Sequence, residues 1–113
     1  MSERVNPIRV EVEGESFTLE FSRETVRFAE NRGFNIEQIS DFPQTNIPAL
    51  WFYAFRKNHK NISREKTDKI LERMGGLTEQ QIVRLVELYQ EPNRALIADN
   101  EEQQKNAGVT VEL

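Results

Sequence analysis

His59 is the only histidine in the chain, and it stands among cations in Arg56-Lys57-Asn58-His59-Lys60. A catalytic imidazole needs an orienting carboxylate and a reacting group within hydrogen-bond reach. Nothing in this stretch supplies either, so His59 reads as part of an exposed helix end. With one histidine and no cysteine, a histidine- or thiolate-built zinc site is out of reach. The same count removes disulfides, thiol nucleophiles and iron–sulfur clusters. Carboxylates are numerous but scattered. Glu11 and Glu13 share the solvated face of a predicted hairpin, and Glu101-Glu102 lies in a polar run. Acid–base hydrolysis needs two acids on the wall of an apolar pocket, and no spacing here provides that. Gly75-Gly76 lacks the lysine and hydroxyl of a phosphate-binding loop and reads as a helix stop. Asn61-Ile62-Ser63 matches a glycosylation sequon, but Ser63 is better used as a helix cap. The residues therefore point to no catalytic, metal or cofactor site, and the chain is read as non-enzymatic.

One cluster of charge remains. Arg56, Lys57, Lys60, Arg64, Lys66, Lys69 and Arg73 form a basic zone in a chain whose net charge is −4. Such a zone serves nucleic acid or an acidic protein surface, but here Glu65, Asp68 and Glu72 dilute it. Phosphate binding usually dominates the charge balance of a whole domain. No nucleic-acid or membrane partner is expected. Met1 to Pro7 carries no apolar stretch, so no leader is expected either. The longest apolar run, Ala49 to Phe55, is too short to span a bilayer.

At 113 residues the chain is long enough for one core and one domain. Ile8, Val10 and Val12 alternate with Arg9, Glu11 and Glu13. After a turn at Gly14-Glu15, Phe17, Leu19 and Phe21 alternate with Thr18 and Glu20. Two period-2 runs around a glycine predict a β-hairpin. Five helices are expected to follow. Ser22 caps the first, which stops at Asn31-Arg32-Gly33, and Asn35 caps a short second one that ends before Pro43. The third starts at Thr45 or Asn46, with Pro48 in its first turn. Ser63 and Gly75 bracket the fourth. Thr78 and Gln81 form the capping box of the fifth, which Pro92 kinks or ends. The expected fold is α+β, mainly α: a hairpin over 5–21 and helices over 22–98 in one compact domain. Residues 99–113 form a polar tail, in which Val109, Val111 and Leu113 alternate.

Two stretches are more apolar than one core-facing stripe requires. Ala49-Leu50-Trp51-Phe52-Tyr53-Ala54-Phe55 is hydrophobic all round a helix. The fifth helix spreads Ile82, Val83, Leu85, Val86, Leu88 and Tyr89 over more than half its circumference. Leu50 and Ala54 fit one inward face. Trp51, Phe52, Phe55, Leu85, Leu88 and Tyr89 are the candidate partner-binding residues, because aromatic anchors dominate interface energetics.

The order of these features resembles the tail assembly chaperones of long-tailed bacteriophages that infect Gram-positive bacteria. The resemblance runs from the hairpin and Phe21-Ser22-Arg23-Glu24-Thr25-Val26-Arg27-Phe28-Ala29-Glu30-Asn31-Arg32-Gly33-Phe34 through Ile47-Pro48-Ala49-Leu50-Trp51-Phe52-Tyr53-Ala54-Phe55-Arg56-Lys57 to Leu85-Val86-Glu87-Leu88-Tyr89. It covers roughly Val5 to Leu96. It implies a protein of the host cytoplasm that coats the aggregation-prone tape measure protein, self-associates, and is displaced as tail tube subunits assemble. Such a protein is not expected in the mature virion, and the tail tube protein is a second candidate partner. The alternative is a small helical DNA-binding regulator, with the fourth and fifth helices as a helix-turn-helix around Gly75-Gly76.

Overall fold

The computed structural model describes residues 6–94, 96, 106–110 and 112. They form a small α+β domain in which a two-stranded antiparallel hairpin precedes four α-helices. The strands are β1 (Ile8–Val12) and β2 (Glu15–Leu19), and the helices are α1 (Arg23–Asn31), α2 (Pro43–Arg56), α3 (Arg64–Met74) and α4 (Glu79–Arg94). The expected second helix is a single 3₁₀ turn, Ile36–Gln38. Asn35 caps it as anticipated, through the Glu37 N–H. Too few residues separate that cap from Pro43 for an α-helix to propagate beyond its costly nucleus.

The hairpin turn is one residue earlier than Gly14-Glu15. Val12 pairs with Glu15, which leaves Glu13 and Gly14 as a two-residue loop with φ of 48° and 82°. Positive φ at both positions is what a turn matching the right-handed strand twist demands. Phe21 lies beyond β2 but is buried.

Helix ends follow their side chains. Ser22 accepts from the Thr25 N–H while the Thr25 hydroxyl accepts from the Ser22 N–H, closing a capping box on α1. Ser63 caps α3 through Lys66, and Gly75 ends it with φ of 76°. Thr78 and Gln81 exchange the anticipated pair of bonds at the start of α4. One proline expectation fails: α2 starts at Pro43 rather than Thr45, which puts Pro48 inside the helix. Of the two outcomes expected at Pro92, ending the helix does not occur, since α4 runs on to Arg94.

α2 is the centre of the domain. β2, α1, α3, α4 and the 3₁₀ turn all pack against it, whereas α3 and α4 scarcely touch one another. A helix apolar all round is explained by neighbours on every side. Asn46 ties the 3₁₀ turn to it, donating from Nδ2 to the carbonyls of Gln38 and Phe42. The far end of α2 takes up the outward groups of β2 at Thr18 and, just beyond the strand, at Glu20. The Thr18 N–H donates to His59 Nε2, Asn58 Nδ2 donates to the Thr18 carbonyl, and the Glu20 N–H donates to the Ala54 carbonyl. Among the described residues no helix is long and apolar enough to cross a membrane. The expected helix over 95–98, the polar run 99–105, and Val111 and Leu113 of the alternating tail lie outside the described residues.

Candidate protein-binding surface

Five of the six candidate contact residues form the core instead. Trp51, Phe55, Leu85, Leu88 and Tyr89 are 0–3% exposed, and only Phe52 is half-buried. The correction has a physical cause. The hairpin lies against one side of α2 and the remaining helices cover the others, so a large aromatic finds a partner in every direction. Trp51 stacks edge-on to Phe55 at 5.0 Å and donates from Nε1 to the Thr67 carbonyl at 3.0 Å. Tyr89 stands edge-on to Phe21 at 5.1 Å and to Phe34 at 5.4 Å. Burial pushes the Tyr89 phenol up to about 12, with Glu30 and Tyr53 nearby adding to the effect.

The excess of apolar surface exists, but on other residues. Taking the buried side of α4 as Leu85, the 100° step of a helix puts Ile82 at about 60°, Val86 at about 100° and Val83 at about 160° from it. Exposure is greatest at the residue farthest round. Ile82 and Val86 are half-buried, and Val83 is 53% exposed. Val83 borders an open cleft with Glu79, Gln80 and Arg84. A second apolar feature is a groove of about 290 Å³ between β1 and the α3–α4 connection, lined by Ile8, Val10, Val12, Met74 and Leu77. Wheel phase was the signal available for Val83. Aromatic content directed attention to the opposite side of the helix.

The basic zone is largely neutralised in place. Lys57 pairs with Glu20, Arg64 with Asp68, Lys66 with Glu15, Lys69 with Glu65 and Arg73 with Glu13. Arg56 lies over the Phe28 ring at 3.7 Å, a cation–π contact. Three of these partners sit on the hairpin or at its exit, so the pairs span from the sheet to α2 and α3 at the surface. His59 likewise is no free helix end: it is half-buried, edge-on to Phe17 at 5.1 Å, and accepts from Thr18. An imidazole nitrogen that accepts a hydrogen bond carries no proton, and here it does structural duty. Among the described residues no group of three or more histidine and acidic side chains is placed to hold a metal ion.

The fold and surface define a small α+β domain whose accessible features are an apolar helix face and a groove beside a strand. The family model for DUF5055, a domain of unknown function, matches residues 1–113, and the chain belongs to that family. No curated protein and no solved structure matches it.

Proposed function

We propose that this protein is a phage tail assembly chaperone that binds the tape measure protein, keeps it soluble, and leaves as the tail tube assembles. The observation that carries the reading is the order of elements. A hairpin, a Ser22-capped helix, an aromatic central helix and a final helix bearing Leu85 to Tyr89 follow one another as in the resemblance described above. The aromatics in that pattern belong to the scaffold, so the contact falls to the outer side of α4. Ile82, Val83 and Val86 offer an apolar strip that a long amphipathic helix can meet ridge to groove. A strip this narrow gives weak single contacts. Many copies along one tape measure then gain from effective concentration, while each remains displaceable.

Co-expression with the tape measure protein tests the proposal: the chain raises the soluble fraction of the tape measure, and an unchanged fraction counts against it. A helix-turn-helix reading draws no support from helices α3 and α4 that barely touch, or from a basic zone whose side chains already hold acids.

A further inference from the structure

The two edges of the hairpin are treated differently. Val12 and Glu15 flank the two-residue turn and form a hydrogen-bonded pair, so Val10 with Phe17 and Ile8 with Leu19 are bonded pairs too. Arg9 and Glu11 therefore turn their backbone N–H and C=O groups away from β2. On β2 the corresponding outward groups of Thr18 are taken by His59 and Asn58. On β1 none is taken: among the described residues neither Arg9 nor Glu11 has a backbone partner on that side. An open edge is a template for another strand unless charge or a bulge blunts it.

The charges on this edge are complementary to themselves. Among the described residues Arg9 holds no ion pair, and the Glu11 carboxylate accepts only from the Ser16 hydroxyl, at 3.4 Å. When a second β1 is laid antiparallel on the first about a two-fold axis through Val10, Arg9 faces Glu11 of the second copy, and the reverse holds across the axis. Val10 faces Val10, and Ile8 faces Val12. The hydrogen-bond phase agrees: Arg9 and Glu11 are the residues with free outward groups, and in this register they form the bonded pairs. The apolar residues of both strands fall on the face that lines the 290 Å³ groove with Met74 and Leu77. Pro7, lacking an N–H, limits the ladder at its end.

We infer that the free edge of β1 is a dimerisation site, at which two copies of this chain join their hairpins into one four-stranded antiparallel sheet through reciprocal Arg9–Glu11 pairs. The inference names a surface for the self-association in the chaperone reading, but it rests on the strand alone.

Sedimentation velocity of the full chain across the micromolar range tests it. A dimer is expected. Arg9→Glu or Glu11→Arg sets like charges opposite each other twice and weakens that dimer by roughly tenfold or more. The double reversal, Arg9→Glu with Glu11→Arg, restores it. Both residues are exposed, and circular dichroism checks that each variant remains folded. In the wild type, amide exchange at Arg9 and Glu11 slows as concentration rises. A monomer at every concentration overturns the inference, as does a dimer indifferent to the single reversals or a double reversal that stays monomeric. The alternating segment 109–113 is the rival occupant, since it too can set an acid, Glu112, against Arg9. A dimer lost on deleting 109–113, or an edge protected in a monomer, assigns the edge to that segment and overturns the proposal. Tape measure solubility is read in parallel: a dimer without rescue sinks the chaperone reading alone, and a monomer with rescue sinks this one alone.

Discussion

The backbone N–H of Thr18 donates to Nε2 of His59 across 41 positions of sequence, at 3.0 Å. That bond, with Asn58 on the carbonyl of the same residue, joins the hairpin to the end of α2 and takes up the outward groups of Thr18. Replacing His59 with Ala leaves the Thr18 donor without its acceptor and removes an edge-on contact to Phe17. The expected cost is about 1–3 kcal/mol of stability. Denaturant unfolding measures it, and amide exchange at Thr18 quickens while exchange at Phe17, bonded within the hairpin, changes less.

Trp51→Ala destabilises by about 3–5 kcal/mol, because it empties the centre of the core and frees the Thr67 carbonyl of one donor. Trp51→Phe costs less, as a ring remains against Phe55. A Trp51→Ala variant that keeps its thermal midpoint would return Trp51 to the surface.

Tyr89 imposes an alkaline limit. Its phenol is raised from 10.0 to about 12 in the folded chain, so the folded state holds the proton more tightly than the unfolded one. The stabilisation is complete below pH 10.0 and is lost as pH rises through about 12. Unfolding measured across that window falls more steeply for the wild type than for Tyr89→Phe. Equal slopes would contradict the assignment.

Glu13 occupies a left-handed position that suits Asn or Gly, with φ of 48°. Its ion pair with Arg73 is short, at 2.6 Å, but the two side chains are 67% and 61% exposed. Surface pairs contribute little, so backbone preference wins. Glu13→Asn is expected to raise stability by roughly 0.5 kcal/mol, read from the thermal midpoint. A loss would show that the ion pair outweighs the turn.

Local signals carried most of the architecture. Alternation in Ile8–Val12, the caps Ser22, Ser63 and Thr78, and the stop at Gly75 depend on neighbours a few residues away, and each has its anticipated role. Prolines misled for the same reason. Pro43 fits the first turn of α2, while Pro48 and Pro92 are tolerated inside helices that tertiary packing sustains. The exposed apolar surface was less legible, because apolarity alone does not say which side of a helix is covered. Trp51 and Tyr89 have the composition of interface anchors, yet the hairpin and α1 enclose them. Val83 is less conspicuous and lies outside. The pairing of His59 with Thr18 leaves no trace in the sequence, since it depends on where two distant segments meet.

In the proposed function, a partner helix is met by the outer side of α4 and not by the aromatic core. Calorimetric titration of the purified chain with a helical segment of the tape measure protein tests it most directly. Wild type and Trp51→Phe bind alike, and Val83→Asp, which leaves fold stability within about 0.5 kcal/mol, loses at least roughly tenfold in affinity. Undiminished binding by Val83→Asp, or no binding by the wild type, would contradict it.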